Sequence, residues 1–257
     1  MTEKETSRDS GTEADFGFRR VPEREKAPLV RSVFNSVAPR YDLMNDLMSG
    51  FIHRRWKNEL IAWLAPRPGQ ILLDVAGGTG DIACRALKRL DPPRGGVIVC
   101  DVNEQMLDVG RARAIDDGIV TGVEWVCGDA EALPIADRSV ELYTIGFGLR
   151  NVTRIERALA EARRVLKPGG RFMCLEFAPA AAPWLSPLYD LYSFHILPLI
   201  GQVVTGDRDA YAYLVESIRH FPSQTALCDL IEAAGLERPR FRDLTGGVAA
   251  LHSAWRL

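Results

Sequence analysis

A short apolar run over residues 71–75 ends at Gly77-Gly78-Thr79-Gly80 and passes directly into a helical pattern over 82–90. A buried strand that turns through glycines into a helix brings its backbone close to a ligand, because glycine has no Cβ in the way. Around this unit, strand and helix patterns alternate. Strands are predicted at 97–100, 123–127, 140–147 and 172–177, and helices at 106–115 and 155–166, the last ended by Pro168-Gly169-Gly170. Repeats of this kind predict an α/β fold with an open, doubly wound, mostly parallel sheet. A helix over 226–234, a strand over 241–244, a Gly246-Gly247 turn and a strand over 248–255 close the chain. The two-glycine turn predicts an antiparallel hairpin, and the sheet reaches seven strands.

Three stretches stand outside the repeat. Leu29, Val30, Val33, Phe34 and Val37 recur at helical spacing, and Pro39 breaks that helix. Leu43, Met44, Leu47 and Met48 mark a second helix, and Trp56, Leu60, Trp63 and Leu64 a third, so 29–66 is read as N-terminal helices. Residues 178–222, rich in proline, leucine and aromatics, are read as a helical cap insertion. Residues 1–26 alternate acids and bases with few large apolar groups. That composition predicts a flexible tail over 1–28, leaving one domain over 29–257.

A net charge of −2 gives no reason to expect nucleic-acid binding. Five scattered cysteines and four dispersed histidines predict neither a disulfide framework nor a metal site. The first 28 residues lack the apolar core of a secretory signal, and no apolar run approaches the roughly 20 residues that span a bilayer. The chain reads as soluble, or at most peripheral to a membrane.

Asp101 ends the second strand, where an acid accepts both hydroxyls of a ribose. With Gly78 and Gly80 it specifies a nucleoside-containing ligand. Gly78, Gly80 and Ala83 also satisfy G-x-G-x-x-A, which admits a nicotinamide dinucleotide. Against that, Asp81 puts a carboxylate where a pyrophosphate would sit. Asp74 suits a ligand bearing an ammonium group, such as the methionine part of S-adenosylmethionine, and Asp129-Ala130 suits adenine. The methyl donor is favoured over the dinucleotide.

The residues from 29 onward resemble the UbiE/MenG family of quinone-biosynthesis C-methyltransferases. The resemblance rests on Arg40-Tyr41-Asp42-Leu43-Met44-Asn45-Asp46-Leu47-Met48-Ser49, the 74–81 loop, Asp101-Val102-Asn103-Glu104 and Asp129-Ala130-Glu131-Ala132-Leu133-Pro134. It continues through Gly146-Phe147-Gly148-Leu149-Arg150-Asn151-Val152, Leu166-Lys167-Pro168-Gly169-Gly170, Tyr192-Ser193-Phe194-His195 and Leu244-Thr245-Gly246-Gly247-Val248. It implies a class I, Rossmann-like methyltransferase that uses S-adenosylmethionine. The acceptor would be a polyprenyl benzoquinol, a demethylmenaquinol, or both. Thr79, Asp101, Asp129, Ala130 and Gly146 match donor-binding positions, Gly146 standing where such proteins often carry serine. A cytoplasmic enzyme is implied. Peripheral contact with the inner face of the membrane, and a homodimer or association with other quinone-biosynthesis enzymes, are compatible with it.

Methylation at a ring carbon needs a deprotonated quinol hydroxyl and then loss of the ring proton. Arg150 is the first candidate to pair with the phenolate, the alternative being an arginine that bridges loop backbone. Asn151 is either a donor to a quinol oxygen or the cap of the next helix. Tyr41 reaches the pocket or packs in the core. His195 takes the ring proton or packs within the cap. The cap's Trp184, Leu188, Tyr192 and Phe194 offer a route for a polyprenyl tail, or pack on the sheet and a partner.

Overall fold

The computed structural model describes residues 12–37, 46, 49, 51–92, 94–179 and 208–257. Two strands, β1 (Glu13–Phe16) and β2 (Arg19–Pro22), form an antiparallel hairpin. Helices α1 (Glu23–Val37) and α2 (His53–Leu64) follow. The alternating part runs β3 (Ile71–Val75), α3 (Asp81–Leu90), β4 (Gly96–Asp101), α4 (Glu104–Asp116), β5 (Val123–Cys127) and β6 (Val140–Gly146). It continues through a 3-10 turn η1 (Leu149–Asn151), α5 (Ile155–Val165) and β7 (Leu166–Phe177). Helices α6 (Arg208–His220) and α7 (Gln224–Ala233) lead to the hairpin of β8 (Glu237–Leu244) and β9 (Ala249–Arg256).

The seven-stranded sheet has the order β5-β4-β3-β6-β7-β9-β8. Strands β3 to β7 pair in parallel, while β9 runs antiparallel to both of its neighbours. Chain order reverses between β3 and β6, so a crevice opens outside the carboxyl ends of these strands. Side-chain alternation divides the core into two layers. Leu72, Leu142 and Met173 face one cluster, with Trp56 and Leu60 of α2 and Ala83 and Leu87 of α3. Leu73, Tyr143 and Phe172 face the other, with Leu159 and Ala162 of α5 and Leu227 and Ile231 of α7.

Helix ends are fixed by identifiable groups. Asn103 caps α4, its Oδ1 accepting from the N–H groups of Gln105 (3.0 Å) and Met106 (3.4 Å). At the C-terminal end of α5, Arg256 Nη1 donates to the carbonyls of Arg163 (2.6 Å), Arg164 (3.0 Å) and Leu166 (2.7 Å). A cation there satisfies orphan carbonyls and complements the helix dipole.

Two expectations need correction. The flexible tail does not extend to residue 28, because residues 13–28 build the hairpin and the first turns of α1. Their apolar groups are few but well placed: Ala14 and Phe16 point inward, and Phe16 stacks on Tyr213 of α6 at 4.4 Å. The Lys167-Pro168-Gly169-Gly170 segment does not sit between helix and strand either. Leu166 already pairs with Val140 and Arg171 with Leu142, so the segment bulges out of β7, with Gly169 at φ +80°. The predicted second helix and residues 180–207 of the expected cap lie outside the described residues. Among the described residues no helix is long and apolar enough to cross a membrane, and no cluster of His, Cys, Asp and Glu is arranged to hold a metal.

Candidate active site

The crevice at the carboxyl edge is a cleft open to solvent. Its floor comes from three strand ends: Ala76 and Gly78 after β3, Asp101 and Asn103 at β4, and Asp129 and Ala130 after β5. Phe147, Gly148 and Asn151 after β6 form one end, and Ala27, Val30, Arg31 and Phe34 of α1 cover it. Asn103 Nδ2 donates to Asn35 Oδ1 (2.7 Å), and Lys26 Nζ to the Val152 carbonyl (3.0 Å). These bonds tie α1 down over the cleft.

The glycine loop is held by the acid beside it. Asp101 Oδ2 accepts from the Gly78 N–H (2.9 Å) and Oδ1 from the Asn103 N–H (2.8 Å). Gly78 lies at φ +54°, a conformation that glycine adopts without strain. Burial raises the Asp101 pKa, against the backbone N–H groups that favour its charge. Each carboxylate oxygen keeps a further lone pair, enough to accept ribose hydroxyls from the cleft. Asp129 Oδ1 accepts from the Glu131 N–H (2.9 Å), and its other oxygen has no such bond to the turn.

Asp74 is fully buried beneath this loop. Oδ1 accepts from Thr144 Oγ1 (2.7 Å), while Oδ2 has no hydrogen-bond partner among the described residues. Desolvation raises its pKa to about 7, against the Thr144 bond and the charge of Lys57. Lys57 itself is buried and pairs with Asp81 (2.8 Å), which also binds Arg85 Nε (2.7 Å). Burial works against the Asp81 charge, but Lys57 and Arg85 outweigh it and hold the carboxyl at about 2. The repulsion of a pyrophosphate expected from Asp81 is therefore corrected: two cations neutralise that carboxylate.

Of the predicted donor residues, Gly78, Asp101, Asp129 and Ala130 converge on the cleft. Asp74, Thr79, Gly80 and Gly146 do not line it. Gly80 begins α3 at φ +76°, and Thr79 faces a separate groove with His53 and Asp81. A Cβ on Gly146 would lie 2.4 Å from Ile82 Cδ1, so this position packs against α3.

Arg150 is placed differently from expectation. Its side chain is buried, and Nη1 donates to Glu176 Oε2 (2.8 Å) and to the Phe147 carbonyl (2.6 Å). Glu176 Oε1 accepts from the Arg150 backbone N–H (3.3 Å). The guanidinium neutralises a buried carboxylate and bridges the loop, and it does not line the cleft. Sequence reasoning could not find Glu176, 26 residues away on β7. Asn151 does line the cleft, its Oδ1 accepting from Tyr213 Oη (3.0 Å). Tyr41 and His195 lie outside the described residues. The helix of the α1 wall was read from the apolar stripe at 29–37, but a lone amphipathic helix does not reveal what it covers.

The sequence matches the ubiE/COQ5 methyltransferase family over residues 16–256. It is 57% identical over 249 residues to the "Ubiquinone/menaquinone biosynthesis C-methyltransferase UbiE" of Paracoccus denitrificans, covering 97% of this chain and 99% of that one. A protein of the same name from Brucella canis is 54% identical, covering 96% and 92% of the two chains. Among solved structures, a SAM-dependent methyltransferase of Aquifex aeolicus superposes with a TM-score of 0.57 at 17% identity, over 78% of this chain and 89% of that one. A possible histamine N-methyltransferase of Thermotoga maritima superposes with a TM-score of 0.59 at 19% identity, over 88% and 100%. These two likenesses concern the fold.

Proposed function

The chain belongs to the ubiE/COQ5 methyltransferase family, and from that premise we infer that it is an S-adenosylmethionine-dependent C-methyltransferase of ubiquinone and menaquinone biosynthesis. The observation that carries the donor is the convergence of Gly78, Asp101, Asp129 and Ala130 on one cleft. The near full-length similarity carries the acceptor class. Its members are 2-methoxy-6-polyprenyl-1,4-benzoquinol and demethylmenaquinol.

The residues present fit the donor. Asp101 takes the ribose hydroxyls, Asp129 and Ala130 take the adenine, and the apolar walls from Phe34 and Met106 exclude water from its rings. The unpartnered Oδ2 of Asp74 suits the ammonium of the methionine part. When bound, the donor supplies an electrophilic methyl group on a sulfonium. The chain then has to orient the ring and favour the phenolate.

Asn151 on the cleft wall is proposed to donate to a quinol oxygen. Arg150 acts at one remove, by holding Phe147 and the loop that carries Asn151. His195 is proposed to accept the ring proton and Tyr41 to approach the substrate from the N-terminal side. A polyprenyl acceptor favours peripheral contact with the inner face of the membrane, and that contact is part of the proposal.

The test is direct. The purified protein is given S-adenosylmethionine carrying a labelled methyl group and either quinol, kept reduced, and the products are analysed by mass spectrometry. A label on a ring carbon is expected. Absence of a C-methylated product from both quinols overturns the reading.

A further inference from the structure

Asn151 is an ambiguous group until its neighbours are considered, because an amide can present either its oxygen or its N–H groups to a ligand. Its Nδ2 lies 3.4 Å from the Phe147 carbonyl, and its Oδ1 lies 3.0 Å from Tyr213 Oη. The Phe147 carbonyl is an acceptor only, and it already accepts from Arg150 Nη1 at 2.6 Å. Turning the amide over would set its oxygen against that carbonyl. The observed orientation therefore requires Tyr213 to donate, and it leaves one Asn151 N–H free for the cleft.

Tyr213 is itself built in. It sits in α6, buried, with its ring stacked on Phe16 at 4.4 Å and 21°. Phe16 belongs to the N-terminal hairpin, which a further bond fixes to α6: the Phe18 N–H donates to Glu216 Oε2 (2.9 Å). Burial keeps the Tyr213 hydroxyl protonated, with Arg150 pulling the other way.

We propose that Tyr213 is a positioning residue for methyl transfer: its hydroxyl fixes the Asn151 amide so that an N–H, and not the oxygen, faces the acceptor. The inference rests on the methyltransferase reading above. The chemistry favours an N–H there, since a developing phenolate needs a donor and is repelled by a carbonyl oxygen. Without the hydroxyl, only the long 3.4 Å contact to the Phe147 carbonyl is left to hold the amide in the orientation that supports the reaction.

The experiment is a double-mutant cycle measured with S-adenosylmethionine and demethylmenaquinol. Tyr213→Phe removes the hydroxyl and keeps the stack on Phe16. It is expected to lower kcat about fivefold to tenfold, the effect of losing one neutral hydrogen bond. The KM for S-adenosylmethionine is expected to stay unchanged. Asn151→Ala is expected to lose more, and adding Tyr213→Phe to it is expected to change nothing further. A folding defect caused by Tyr213→Phe would reduce activity in both backgrounds, so multiplying losses overturn the proposal. Wild-type turnover in Tyr213→Phe overturns it as well. If the unmodified protein transfers no methyl group, the methyltransferase reading falls and this inference falls with it.

Discussion

Asp101 has two tasks that pull on the same carboxylate. It holds the glycine loop through the Gly78 N–H, and its remaining lone pairs are the ones proposed to take the ribose hydroxyls. Asp101→Asn is the informative change, because an amide of the same shape has one acceptor in place of two and no charge. Charge-assisted bonds are worth more than neutral ones, so the loss in donor affinity is expected to be about 1.5–3 kcal/mol, roughly tenfold to a hundredfold in Kd. Calorimetry with S-adenosylhomocysteine checks it, and an unchanged affinity would move the ribose elsewhere. Phe147 shows a different residue-scale device. It sits at φ +58°, which costs a side-chain-bearing residue about 1–2 kcal/mol. Bonds from its N–H to the Leu175 carbonyl (2.7 Å) and from Arg150 to its own carbonyl offset that cost and set the ring against Trp56 and Phe177 in the core.

At the scale of elements, the N-terminal hairpin is the main surprise. Phe16→Ala is expected to destabilise the protein by roughly 3 kcal/mol, the lower end for a buried phenylalanine, since the hairpin can partly collapse onto α6. Urea denaturation measures it, and a change under 1 kcal/mol would mean that the hairpin contributes little to the fold. Why this element escaped the sequence is physical. The central strand β3 announces itself because burial on both faces demands a nearly continuous apolar run, as in Ile71–Val75. The hairpin buries one face of four residues, and the charges of Glu13, Asp15, Arg19 and Arg20 dominate its composition. Its partner Tyr213 is nearly 200 positions away, so the contact that orders it has no local trace. The floor of the cleft was legible for a related reason: Gly78, Asp101 and Asp129 occupy fixed offsets from strand ends. Arg150 was legible as a residue and not as a role, because Glu176 decides what it does.

For the molecule as a whole, buried ionisable groups set how stability follows pH, and here they oppose one another. Asp74 has its pKa raised from 3.8 to about 7 by burial, and burial raises Asp101 and Glu176 in the same direction. His252, buried between β9 and α7, is lowered from 6.5 to about 4, and His53 is lowered too, both chiefly by desolvation. Between pH 4 and 7 the folded chain retains the Asp74 proton that the unfolded chain releases. Stability from Asp74 is therefore lost as pH rises through that window. Between pH 6.5 and 4 the unfolded chain takes up a His252 proton that the folded chain refuses, so stability from His252 is lost as pH falls. Each group alone has a limiting slope of about 1.4 kcal/mol per pH unit, with opposite signs. Two variants separate them. Relative to wild type, Asp74→Asn is expected to gain stability steadily from pH 4 to 7, and His252→Gln to gain it from pH 6.5 down to 4. Chemical denaturation at half-unit steps of pH yields both difference curves. Parallel slopes would contradict the burial of one group or the other. Saturating S-adenosylhomocysteine adds a third curve, because a ligand ammonium that pairs with Asp74 keeps it ionised. The ligand would then release close to one proton on binding below pH 7 in the wild type and none in Asp74→Asn, which calorimetry in buffers of different ionisation enthalpy resolves. Equal proton release from the two proteins would place the ammonium away from Asp74 and leave that carboxyl as the buried partner of Thr144.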